Sequence, residues 1–152
     1  MSYFADPAEF AVADARHVLL AGDASSIAEI GDVLGLLPIC ARGQVFVEVD
    51  HAEDVRTLTG PGRVVVTWLV RADRTGEPGS GRGCASGQAV SRAARAWASE
   101  MLDVDGHESA DYHVWVGGGS AHLVELRNEL RMTLASSAAA KQRQASSERA
   151  SH

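Results

Sequence analysis

The sequence predicts an α/β domain of three layers, in which helices cover both faces of a parallel sheet of about four strands. Short apolar runs alternate with segments of helical periodicity, which is the pattern of parallel strands joined by helical crossovers. The chain is 45% hydrophobic but only 5% aromatic, so aliphatic residues must fill its core. The chain order βα, β, β, α, βα implies right-handed crossovers, and four strands in the order 3-2-1-4 are expected.

The first unit is predicted to be a strand at 17–21, a tight turn at 22–26 and a helix. Ser26 and Glu29 have the spacing of a capping box, and Pro38 ends the helix. The apolar residues of this helix recur at helical spacing, at Ile27, Ile30, Leu34 and Leu37.

Two further strands are predicted at 44–50 and 63–70, separated by a polar stretch. The second of them is a continuous, mostly β-branched apolar run, which is typical of a strand buried on both faces. Residues 71–87 are rich in glycine and are predicted to form an irregular loop.

The second half of the chain predicts a helix at 88–102, a polar connection at 103–111, a strand at 112–116 and a final helix. The two helices have apolar stripes, formed by Val90, Ala93, Trp97 and Met101 in the first and by Leu123, Leu126, Leu130 and Leu134 in the second. The polar tail at 135–152 is expected to be a frayed helix or disordered. A single domain is therefore expected at 1–134, with 1–15 as a linker-like lead-in.

Composition argues against several classes of protein. The net charge is −6 and no basic stripe is present, which disfavours nucleic-acid binding. The first residues lack the apolar region of a signal peptide, and no apolar run is long enough to span a bilayer, so a cytoplasmic protein without membrane contact is expected.

Cys40 and Cys84 make no disulfide framework, and Cys84 is expected to be an inert surface residue. The acidic stretch with Asp103, Asp105, His107 and Glu108 lacks the pattern of a calcium loop, and no metal site is predicted.

Two glycine turns are the candidate binding elements. One consists of Gly22, Asp23, Ala24 and Ser25 after the first strand, and the other of Gly117, Gly118, Gly119 and Ser120 after the fourth. Glycine lets the backbone approach a phosphate closely, and the first turn of a helix offers unpaired N–H groups. If the two strands are neighbours, both turns face one cleft at the carboxyl edge of the sheet. From spacing alone, a ligand cleft and a purely structural pair of turns both remain open.

Several segments, in order along the chain, resemble a known family. The stretch 19–23, LLAGD, is similar to the LLAGDET segment of siderophore-interacting proteins, which are flavin-dependent ferric-siderophore reductases of the ferredoxin-reductase type. The stretch 67–71, TWLVR, resembles their TWLHR segment, and 112–118, YHVWVGG, resembles their YVWVAGE segment. Residues 4–7 resemble the linker upstream of their nucleotide domain.

The resemblance implies a ferredoxin-reductase-type NADP-binding domain that binds NADPH or NADH. It places the two glycine turns around the pyrophosphate and the nicotinamide. Arg71 matches a family arginine, and a guanidinium fork suits the adenosine 2′-phosphate, although a solvated loop charge is an equal reading of this residue. The preference for NADPH depends on Arg71 alone. FAD would be supplied by a separate domain or chain, and a ferric siderophore would be reached only indirectly.

Departures from the family motifs leave a second hypothesis open. Ala24 replaces an acidic residue of the first family segment, Gly119 replaces the glutamate of the last, and no strand is predicted after the final helix. The chain could therefore be a non-catalytic interaction module or a homodimer that pairs through an exposed sheet edge. It could also be a fragment of a longer reductase. No catalytic residue is assigned.

Overall fold

The computed structural model describes residues 16–76, 81, 83–101 and 112–150. The predicted lead-in at 1–15 and the acidic connection at 103–111 lie outside these residues. The strands are β1 (His17–Asp23), β2 (Arg42–Val49), β3 (Arg63–Val70) and β4 (Tyr112–Val116), and the helices are α1 (Ile27–Leu36), α2 (Gln88–Met101) and α3 (Ala121–Ala150).

The four strands form one sheet in the order β3-β2-β1-β4, and every pairing is parallel. This confirms the predicted fold class and strand order. In the centre of the sheet, Ala21 of β1 lies opposite Phe46 of β2 on one side and Val116 of β4 on the other. All four strands therefore end at the same edge, which is where open α/β sheets bind ligands.

The core consists of two layers, one on each face of the sheet. Alternate residues of a strand point to opposite faces, and Leu19 and Leu20 of β1 are both fully buried, on opposite sides. The face with Leu19 packs against α2 and α3, and the face with Leu20 packs against α1. The helix–sheet–helix arrangement explains why the central strands are apolar at almost every position.

The predicted capping box at the start of α1 does not form. A single 3₁₀ turn (Ala24–Ser26) precedes the helix, and the Asp23 carboxylate accepts its hydrogen bond from the Ser25 amide at 3.0 Å. Ser26 already has helical backbone angles and makes no side-chain cap with Glu29. The side-chain cap therefore lies three residues upstream of the predicted one, where Asp23 at the end of β1 caps the 3₁₀ turn.

The buried face of α2 also differs from the predicted stripe. Val90 is fully buried, and Ala93 and Trp97 pack against the core cluster as expected, but the other buried apolar residues are Ala89, Ala94 and Ala98, and Met101 is 41% exposed. Alanine is only weakly apolar, so several helical faces of α2 were nearly equivalent in the sequence. Packing of α2 between the sheet and α3 selects the face whose small residues allow close approach.

The leucine stripe of α3 is confirmed. Leu123, Leu126 and Leu130 are buried and Leu134 packs against the same cluster. The helix continues to Ala150, through most of the tail for which a frayed helix or disorder was expected. Alanine, lysine, glutamine and arginine are strong helix formers, which favours this continuation. Within the described part of the chain, no helix is both long and apolar enough to cross a membrane.

A buried carboxylate fastens α2 to the sheet. Glu48 of β2 is only 2% exposed, and its oxygens accept hydrogen bonds from the amides of Gly87 (2.6 Å), Ala89 (3.0 Å) and Val90 (3.3 Å). These amides have no partner inside the helix, and they form its positive end. The negative charge and the three donors therefore compensate one another within the core.

We expect Glu48→Ala to lower the free energy of unfolding by about 2–4 kcal/mol, because it leaves buried amides without an acceptor. Glu48→Gln should lose less, since the amide oxygen can still accept. The matched control is Glu53→Ala, which removes the same side chain at an exposed position and should change stability by less than about 0.5 kcal/mol. Urea unfolding followed by circular dichroism measures all three. Equal losses for Glu48→Ala and Glu53→Ala would contradict the assigned role.

Candidate functional site

The two glycine turns predicted from the sequence lie side by side. They follow β1 and β4, which are adjacent parallel strands, and the amide of Gly117 donates to the carbonyl oxygen of Ala21 at 2.9 Å. This extends the strand pairing by one residue beyond Val116. The turn at Gly22, Asp23, Ala24 and Ser25 and the turn at Gly117, Gly118, Gly119 and Ser120 therefore share the carboxyl edge of the sheet.

Glycine is required where the two turns touch. Gly118 has a φ of +102°, and a Cβ atom there would lie 2.6 Å from the Leu123 Cδ1 atom and 2.8 Å from an Asp23 carboxylate oxygen. A Cβ atom on Gly117 would lie 2.6 Å from the Ser26 hydroxyl oxygen. Both glycines are buried, so their turn packs directly against the first one. The turns are in contact at their base.

The outer side of the same turns is open. Ala24, Ser25 and Gly119 are exposed, and a Cβ atom on Gly119 would meet nothing within 4 Å. The Ser25 hydroxyl donates to the Asp23 carboxylate, and the Ser120 hydroxyl oxygen accepts from the Leu123 amide at 3.3 Å. Both serines thus stabilise their own turns. Their predicted contacts with a ligand stay predictions.

A buried arginine that the sequence analysis missed holds the second turn. Arg127 of α3 is 5% exposed, and its guanidinium donates to the carbonyl oxygens of Val116 (3.1 Å) and Gly118 (3.0 Å). A buried cation needs such acceptors, and hydrogen bonds from a charged donor are strong. Arg127 lies four residues after Leu123 and three before Leu130, which places it on the buried stripe of α3. This spacing is the sequence signal that could have indicated its burial.

A second concave region lies at the ends of β2 and β3. It has a volume of about 440 Å³ and is lined by Asp50, His51, Arg71, Ala72, Arg74, Gly83 and Cys84. Arg71, for which the family resemblance implies a phosphate contact, points one nitrogen at the Asp50 carboxylate at 2.6 Å and donates through Nε to the Cys84 carbonyl oxygen at 3.2 Å. The pocket therefore contains positively charged hydrogen-bond donors, from Arg71 and Arg74, and a negatively charged acceptor, the Asp50 carboxylate.

Cys84 is buried, which corrects the prediction of a surface cysteine. It is 6% exposed, and its amide donates to the carbonyl oxygen of Arg74 at 3.2 Å. A bridge between Thr75 and Gly83 folds the described ends of the glycine-rich loop against each other. This fold-back carries the thiol into the core beside α2, where the sequence offered only an irregular loop.

Comparison with known proteins identifies the family. The family model of siderophore-interacting proteins matches residues 15–145, which is most of the chain. The chain belongs to the siderophore-interacting protein family. The match includes both glycine turns, the pocket at the ends of β2 and β3, and most of α3.

Individual relatives of this siderophore-interacting protein are longer than the chain. Ferric vibriobactin reductase ViuB of Vibrio cholerae is 38% identical over 60 residues, which cover 40% of this chain and 22% of ViuB. An uncharacterized protein of Mycobacterium tuberculosis is 41% identical over 73 residues, covering 48% of this chain and 24% of that protein. The crystal structure of the siderophore-interacting protein SipS from Aeromonas hydrophila aligns with a TM-score of 0.51 and 24% identity, over 80% of this chain and 46% of SipS. The matched region is thus less than half of each relative, and SipS supports the fold alone.

The contact between the two turns can be tested with neighbouring glycines. Gly118→Ala should lower the free energy of unfolding by about 2–4 kcal/mol, because it combines an unfavourable φ with a steric conflict against Leu123 and Asp23. Gly119→Ala is the matched control, since its Cβ atom would enter open space. Thermal and urea denaturation measure both variants. Similar stabilities of the two variants would argue against the close packing of the turns.

Proposed function

We propose that this chain is the NAD(P)H-binding unit of a siderophore-interacting ferric reductase and presents hydride to a flavin held by another domain or chain. The observation that carries the proposal is the contact between the two glycine turns at the carboxyl edge of the sheet. Family membership supports the siderophore connection, and the relative ViuB is a ferric vibriobactin reductase. Cofactor and flavin partner are inferences for this chain.

The residues present fit a dinucleotide. At the ends of β1 and β4, the open space at Gly119 and the exposed residues Ala24 and Ser25 suit the approach of a diphosphate. At the ends of β2 and β3, Arg71 and Arg74 offer guanidinium donors to an adenosine ribose or its phosphate. Strands in a sheet are about 4.8 Å apart, so these two regions are separated by roughly 10 Å along one edge.

The chain's own residues would bind and orient the cofactor. Arg127 binds the carbonyl oxygens of Val116 and Gly118, which would hold the backbone of the second turn in one conformation. When bound, NAD(P)H would supply a hydride for a flavin held by another domain or chain, and that flavin would pass electrons to ferric iron. The protein contributes binding, orientation and electrostatics, and no residue of this chain is assigned a proton transfer.

Isothermal titration of NADPH and NADH tests the proposal. We expect binding with a Kd below about 1 mM, together with a rise in melting temperature. Gly119→Leu fills the open space above the turns and should weaken binding at least about tenfold without lowering stability. Gly119→Ala is the control for backbone effects. Absence of heat and of a thermal shift at millimolar cofactor would reject the proposed function.

A non-catalytic role in protein interaction is the second candidate. It is favoured by one observation: β4 is an end strand of the described sheet. Such edges pair readily with other chains. Loss of the two acidic family residues at Ala24 and Gly119 agrees with this candidate.

Size-exclusion chromatography with light scattering separates the two candidates. A monomer that binds NADPH or NADH supports the reductase unit. A dimer whose mass and melting temperature do not respond to either dinucleotide supports the interaction module. The chain should be measured at two protein concentrations, because mass action shifts a weak dimer toward monomer on dilution.

A further inference from the structure

The sheet itself brings Asp50 and Arg71 together. They are the first residues after β2 and β3, whose last residues Val49 and Val70 are register partners. The Ala72 amide donates to the Asp50 carbonyl oxygen at 3.2 Å, which extends this pairing beyond the strands. The two side chains therefore meet because of the strand register, and both line the pocket at this edge.

The Asp50 carboxylate is already paired with the Arg71 guanidinium, which a phosphate would need as its hydrogen-bond donor. One terminal nitrogen of Arg71 lies 2.6 Å from an Asp50 oxygen, and Nε donates to the Cys84 carbonyl oxygen. A guanidinium recognises phosphate best through two parallel N–H donors. A phosphate entering the pocket must therefore compete with an acceptor already bound to Arg71.

The charge of Asp50 distinguishes a hydroxyl from a phosphate. An ionised carboxylate only accepts hydrogen bonds, so it can bind the 2′-hydroxyl of a ribose but repels a 2′-phosphate, which carries about −1.5 to −2 charges. In dinucleotide-binding sheets, an acidic residue in this half of the site binds the ribose hydroxyl of NADH. Asp50 has the position and the chemistry for that contact.

We infer that Asp50 sets the dinucleotide preference of this site by accepting a hydrogen bond from the adenosine ribose of NADH and opposing the 2′-phosphate of NADPH. The inference rests on the proposed function and reverses the preference expected from Arg71 alone. Arg71 then acts as a positioning residue, because its ion pair holds the carboxylate at the mouth of the pocket. Discrimination of this kind uses repulsion of the wrong ligand as well as attraction of the right one.

Calorimetric titration of wild type and Asp50→Asn with NADH and with NADPH tests the inference. Wild type should bind NADH at least about tenfold more tightly, and Asp50→Asn should shift the ratio of the two Kd values by about tenfold or more toward NADPH. Asn has the same shape, and the Asp50 side chain is 63% exposed, so the variant should fold. All titrations use one ionic strength, because salt screens exposed charges.

Asp73→Asn is the matched control. Asp73 belongs to the 3₁₀ turn that begins at Arg71 and is exposed, but it does not line the pocket. Removing its charge changes the net charge of the chain equally and should change the Kd ratio less than about twofold. A comparable shift in both variants would assign the effect to net charge and overturn the inference.

The remaining outcomes separate this inference from the function on which it rests. If wild type prefers NADPH, or if the ratio does not move in Asp50→Asn while both dinucleotides bind, the inference is overturned and the proposed function stands. If neither dinucleotide binds wild type at millimolar concentration, the proposed function fails and the inference fails with it.

Discussion

The Glu48 carboxylate joins the sheet to α2, and the arrangement of the carboxyl edge depends on this junction. It accepts hydrogen bonds from three amides at the start of α2, so separating the helix from the sheet would leave a buried charge without partners. At the start of α2, Gly87 packs so closely against Ser120, the cap of α3, that no side chain would fit between them. A carboxylate on β2 therefore helps to set the position of the turn after β4.

Charged groups near the edge are compensated inside the protein in three different ways. Glu48 uses helix amides, Arg127 uses backbone carbonyl oxygens, and Arg71 uses the Asp50 carboxylate. Only the last of these pairs lies at a pocket mouth with substantial exposure of both partners. It is consequently the pair that a ligand can rearrange at low cost, whereas the other two fix the frame around it.

Local sequence patterns predicted an element correctly where no nearby residue could take the same structural role, and incorrectly where one could. The strands and the leucine stripe of α3 followed from apolar runs and from helical periodicity. The capping box at Ser26 failed because a 3₁₀ turn capped by Asp23 precedes the helix and gives Ser26 helical backbone angles. The stripe of α2 was predicted only in part, because its alanines differ too little in hydrophobicity for periodicity to choose among them.

The sequence by itself determined the alternation of strands and helices and the two glycine turns, because each is encoded by residues close together in the chain. Family membership added the siderophore connection. Only the tertiary structure decided which polar residues meet. Glu48 and Gly87 are 39 residues apart, and Asp50 and Arg71 are 21 apart. Whether a charged side chain is buried, capped or paired depends on partners that folding brings to it, and periodicity along the chain carries no information about such distant pairs.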